Sequence, residues 1–157
     1  MPTITPSLWF DNDLEEAMRF YTGIFPNSSI EYVNRYTDAG PGTAGQVVSA
    51  GFTLDGSRFV GINGGPVFAF TEAVSFLIEC ADQAEVDYYW DALVAGGQES
   101  QCGWLKDRFG LSWQVVPTRL YELLSDPDQT RAAAATKAML GMSRIVIADL
   151  EAAVANP

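Results

Sequence analysis

The sequence predicts an α+β fold in which one strand–helix–three-strand unit is used twice, βαβββ then βαβββ, with helices added at the C-terminal end. Three observations predict it. Period-two apolar runs and helical stripes follow one another in the same order in both halves. Each half closes on a hairpin whose turn suits positive φ, Asp55-Gly56 in the first and Phe109-Gly110 in the second. The order recurs at an offset of about seventy residues, the pattern of an internal duplication, although the residue identities barely repeat.

Thr3 to Phe10 alternates as a strand, with Pro6, Leu8 and Phe10 on one face and Thr5, Ser7 and Trp9 on the other. Asp11-Asn12-Asp13 opens a helix that Asn12 is expected to cap, with Glu15 reaching back toward the cap. Leu14, Ala17, Met18 and Tyr21 form its buried stripe, and Gly23 marks its end. Ser28 to Tyr36 reads as a strand, Thr37 to Gly45 as a loop, and Gln46 to Leu54 with Arg58 to Asn63 as a hairpin. Gly64-Gly65-Pro66 reads as the linker.

The second half follows suit. Val74 to Cys80 is a strand, Asp82 caps a helix with Glu85 three residues on, and Val86, Tyr89, Trp90, Leu93 and Val94 make its stripe. A short strand at Glu99 to Gln101 leads into two more, Trp104–Phe109 and Leu111–Val116, and Pro117, without an N–H, should end the last. Lys106-Asp107-Arg108 reads as a solvated charged run. Asp126-Pro127 is expected to start a further helix, continued by Ala132 to Leu140. The boundaries are module one at 1–66, module two at 73–117 and a helical extension at 118–157, all within one domain.

Composition narrows the function classes. Apolar residues make up 48% and charged residues 18%, enough for a packed core rather than a disordered chain. Twenty acids against nine bases give a net charge of −11, which opposes nucleic acid and anionic membranes as partners. No run approaches the ~20 apolar residues that span a bilayer. The opening MPTITPSLWFDND lacks a basic run, so no signal peptide is expected and the cytoplasm is the expected location. Cys80 and Cys102, each among apolar residues, read as reduced thiols. There is no histidine, which removes the imidazole base, the histidine-dependent nucleophile arrangements and every histidine-containing metal site.

The run CGWLKDRFGLSWQVVP, Cys102 to Pro117, resembles the glycine-tryptophan…aspartate…phenylalanine-glycine…tryptophan-glutamine motif of the PhnB-like proteins. These belong to the glyoxalase/bleomycin resistance/dioxygenase, or vicinal oxygen chelate, superfamily. The opening TPSLWFDNDLEEAMRFYTGIFPNS and the closing GMSRIVIADLEAA are similar to that family as well, so the resemblance covers nearly the whole chain. It implies two βαβββ modules forming half-open barrels, a small-molecule ligand on their concave faces, and a homodimer.

In catalytic members of that superfamily, histidine and glutamate on the strands hold a metal. The matching positions here fall on Thr5, Asn63, Ser75 and Gln114, all neutral, and hydroxyls and amides hold transition metals poorly. The resemblance therefore implies no metal and no cofactor in this chain. It also brings the label 3-demethylubiquinone-9 3-methyltransferase. The glycine runs Gly40 to Gly45 and Gly61 to Gly65 lead into strands or the linker, not into a helix as a methyl-donor site requires, so the residues give methyl transfer no support.

The candidate ligand-binding residues are Thr5, Ser7, Trp9, Asn63, Ser75, Glu79, Trp104 and Gln114, with Leu77 and Ser112 on the same faces. Aromatic walls with a few hydroxyls and an amide suit a small, partly apolar molecule. No catalytic residue emerges. The expected function is a metal-free small-molecule-binding protein of the PhnB-like branch; the alternative is a superfamily-type isomerase, lyase or transferase with atypical ligands.

Overall fold

The computed structural model describes all 157 residues, which fall into two units, Met1–Phe70 and Thr71–Pro157. The first holds β1 (Ser7–Phe10), α1 (Leu14–Ile24), β2 (Ser29–Arg35), β3 (Val47–Leu54) and β4 (Ser57–Asn63). Its sheet runs β1-β4-β3-β2, with β1 parallel to β4 and the other pairs antiparallel. The βαβββ order is the one read from the residues. Leu8 and Phe10 point inward and Ser7 and Trp9 outward, as the alternation predicts.

Helix α1 buries Leu14, Ala17, Met18 and Tyr21 completely. Leu14 and Met18 each contribute roughly 1.5–3 kcal/mol. Leu14 comes down onto Gly61, where a Cβ would lie 2.2 Å from Leu14 Cδ1; that close approach requires glycine. The β3–β4 turn is the expected one, with φ of 46° at Asp55 and 79° at Gly56. It sets Phe52 opposite Phe59, ring centroids 5.6 Å apart.

The helix cap differs from the expectation. Asn12 sits outside the helix at φ 63° and Asp13 occupies the cap position without a side-chain cap bond. Instead Asn63, at the end of β4, accepts from Leu14 N at 3.0 Å and donates to Val47 O at 3.1 Å. A residue 49 positions away does what Asn12 was expected to do.

The second unit repeats the plan with β5 (Ser75–Cys80), α2 (Gln83–Val94), β6 (Gln98–Glu99), β7 (Trp104–Lys106) and β8 (Ser112–Pro117), ordered β5-β8-β7-β6. Here β5 and β8 are the parallel pair. Asp82 caps α2 by accepting from Glu85 N at 2.9 Å, and Glu85 returns a bond to Ala81 N at 2.7 Å. Val86, Trp90 and Leu93 are buried, while Tyr89 and Val94 are half-buried. Strand β8 ends at Pro117.

The charged run at the hairpin is not solvated throughout. Asp107 is 3% exposed. Its carboxylate accepts from Phe109 N (2.8 Å), Leu111 N (3.1 Å) and Trp113 Nε1 (2.9 Å), closing the loop around Gly110, whose φ is 84°. A carboxylate with three donors converging on it is stable inside where a bare one is not.

Three helices follow: α3 (Thr118–Leu124), α4 (Gln129–Leu140) and α5 (Ile147–Ala155). The cap of α4 is Asp128, which accepts from Thr130 N, rather than Asp126 with Pro127 at the first turn. Val116 at the end of β8 joins Leu120, Leu123, Ala135, Ile145, Leu150 and Val154 in one core beneath these helices. Two side chains fasten it to α2. Gln83 donates to Ile145 O and accepts from Ile147 N, and Arg144 reaches Asp87 and Asp91.

Candidate functional site

The pleat sorts the second sheet into two faces. Phe76, Ile78, Cys80, Leu105, Trp113 and Val115 share the parity that meets α2. Cys80 is a free thiol there, pushed up to about 12 by burial first and by Glu85 and Asp82 after it, so it is no nucleophile. Ser75, Leu77, Glu79, Ser112, Gln114, Trp104 and Lys106 share the other parity. The register places Trp104 and Leu77 beside Gln114, and Ser75 and Lys106 beside Ser112.

Gln114 Nε2 donates to Ser75 Oγ at 2.9 Å. That leaves the amide oxygen outside this bond with a hydroxyl alongside, a paired acceptor and donor. Both residues are half-buried, as is Trp104, and Leu77 is 44% exposed, which gives the pair an apolar border. The structure thus brings together Ser75, Trp104 and Gln114. Glu79 is exposed at the far end of β5. Its charge adds to burial in raising the phenol of Tyr121 on α3.

The first unit places its candidates differently. Thr5 precedes β1, half-buried, and Ser7 is exposed. Trp9 is half-buried; its Nε1 donates to Gly65 O at 2.9 Å and its ring meets Phe68 edge-on at 4.9 Å. A Cβ on Gly64 would fall 2.2 Å from that ring, so glycine there lets the chain lie flat on the indole. Both polar ends of Asn63 are taken by α1 and β3.

Whether these positions could hold a metal is a question of donors. Nowhere do three His, Cys, Asp or Glu side chains cluster so as to hold an ion. Ser75 and Gln114 engage each other and are neutral, and Asn63 is committed to the backbone. The donor set does not fit a transition metal.

The geometry has known counterparts. Two four-stranded sheets with a strand–helix–three-strand order, neither closed, define the glyoxalase/bleomycin resistance class of fold. Within it the chain belongs to the PhnB-like 3-demethylubiquinone-9 3-methyltransferase family, whose model matches residues 2–116. It is similar to a PhnB protein from Bacillus cereus of the same family name, with 36% identity, 74% of this chain and all of that one covered, and a TM-score of 0.69. The protein PA1353 from Pseudomonas aeruginosa is similar in fold at 20% identity, covering 74% of this chain and 98% of its own, with a TM-score of 0.62. A fosfomycin resistance protein, FosX, from Listeria monocytogenes shares the fold at 18% identity over 80% of this chain and 98% of its own, TM-score 0.56. No curated protein matches the chain. The family match ends where β8 ends, so α3, α4 and α5 lie beyond it.

Proposed function

We propose that this PhnB-like protein binds a small, partly apolar molecule on the open face of its second sheet and does so without a metal. One observation carries the reading: Gln114 and Ser75 form a 2.9 Å donor–acceptor pair bordered by the half-buried Trp104. Such a pair orients a carbonyl or hydroxyl while the indole supplies contact area. In the first unit Trp9 and Asn63 already spend their polar groups within the fold, so the orienting contacts of this reading come from the second sheet alone. Methyl transfer is outside this reading. Each sheet has a single parallel strand pair, and the glycine runs lie outside any strand-to-helix turn.

We further propose a homodimer in the cytoplasm with no nucleic acid or membrane partner. Exposed edge strand β2, with Ile30 and Tyr32 uncovered, supports pairing between copies. No helix is long and apolar enough to cross a membrane.

The test is a thermal-shift screen of small carbonyl and hydroxyl compounds on the wild type, Gln114→Ala and Trp104→Ala. Loss of the amide should cost about 1–3 kcal/mol of binding. Hits that stabilise the wild type should stabilise both variants less. Equal stabilisation of all three would overturn the reading, and a metal-dependent turnover in the same preparation would bring forward the enzyme alternative.

A further inference from the structure

At the β6–β7–β8 end of the same face lies a small cavity of about 110 Å3, whose lining includes Glu72, Glu99, Ser100, Trp104, Lys106 and Ser112. The Glu99 carboxylate is engaged by α2, accepting from Trp90 Nε1 at 3.1 Å. Two of the cavity's groups are anomalous. Ser112 is 1% exposed and its Oγ has no hydrogen-bond partner, a rare condition for a buried hydroxyl. Lys106 is the only lysine or arginine in the four strands of this sheet, and it stands directly opposite Ser112 on the same face. Its ammonium is held by the carboxylate of Glu72. Glu72 belongs to no helix or strand, and its side chain is 61% exposed.

A carboxylate therefore already sits on Lys106, beside an idle hydroxyl. We infer that Lys106 and Ser112 form the subsite for the carboxylate of a small organic acid, and that Glu72 is the internal carboxylate the acid displaces. This rests on the ligand face proposed above. The chemistry is complementary: Lys106 supplies charge, and the Ser112 hydroxyl, which lines the same cavity, supplies a directed donor. An exposed ion pair of this kind holds weakly, so Glu72 exchanges readily. Since a water occupies about 30 Å3 of liquid, the cavity admits a headgroup and little more. The body of the acid must then run along Trp104 toward Gln114, its cross-strand neighbour. The net charge of −11 repels anions from afar, but within the Debye length of about 8 Å the contact with Lys106 decides.

The experiment is an NMR titration of the full chain with benzoate and with benzamide, its uncharged counterpart, following the Trp104 indole and Gln114 side-chain signals. Benzoate should bind about tenfold tighter than benzamide, the factor one well-placed charge contact of ~1.4 kcal/mol gives. Glu72→Gln should tighten benzoate about three- to fivefold by removing the internal competitor. Lys106→Met, with Lys106→Gln as a second variant, should abolish the preference for benzoate. Ser112→Ala should weaken benzoate while leaving the thermal midpoint unchanged or raised, because an unpaired hydroxyl is removed. Benzoate binding no tighter than benzamide, or unaffected or weakened by Glu72→Gln, overturns the subsite. If both probes bind equally and both depend on Gln114, the anion subsite falls and the ligand face stands. If neither moves the Trp104 and Gln114 signals, both fall.

Discussion

Trp113 Nε1 donates to Asp107 Oδ2 at 2.9 Å, six residues apart and both buried. With Phe109 N and Leu111 N on the other oxygen, this carboxylate fixes the loop whose flanks are Lys106 and Ser112. Asp107→Ala strands three donors, two of them buried, and should cost roughly 3–5 kcal/mol in urea unfolding. Asp107→Asn keeps one acceptor oxygen but turns an amide N–H toward a donor, and should cost about 1–3 kcal/mol. If Asp107→Ala unfolds at the wild-type midpoint, the carboxylate does not hold the loop.

Asn63 is read as a strut between the start of α1 and β3 rather than as a ligand contact. Asn63→Ala should lower stability by about 1–3 kcal/mol, since a half-buried cap bond and a carbonyl partner go together. Asn12→Gly should be neutral or stabilising, because Asn12 sits at φ 63° and caps nothing. Equal effects of the two changes in chemical denaturation would reassign the cap to Asn12.

The C-terminal helices should loosen in acid. Hydrogen bonds from Arg119 hold the Glu151 carboxyl below its ordinary value of 4.5, against the smaller opposing effect of burial, and Arg131 does the same for Asp126. A folded pKa below the unfolded one gives stability that is present above the unfolded value and lost as pH falls through the folded one. The thermal midpoint should therefore hold from neutrality down to about pH 4.5 and fall below it, with a shallower acid limb in Arg119→Ala. An identical acid limb in Arg119→Ala and wild type would remove Glu151 from the account.

What the residues revealed was whatever a single element decides alone. The α1 stripe, the Asp55-Gly56 turn, the reversal at Gly110 and the duplicated order all follow from local period and turn chemistry. What they hid were partners chosen across the fold. Nothing near Asn63 in sequence announces that Leu14 N needs it, and Asp107 between Lys106 and Arg108 looks like surface until Trp113 is seen to bond it. At the site, Ser75 and Gln114 could be placed on one face by alternation, and they do meet. Glu72 could not, because it belongs to no strand and carries no period; a cue existed only in Lys106, the lone base in its sheet.

The fastening of the last helices by Gln83 bears on how the chain is made. Module one has all its strand partners once residue 63 has been synthesised, so it can close while the rest is still being translated. Gln83 must wait for Ile145 and Ile147, more than sixty residues later, before its amide oxygen gains a partner and its nitrogen a second one. Until residues 145 to 147 have left the ribosome, α2 carries an unfinished surface.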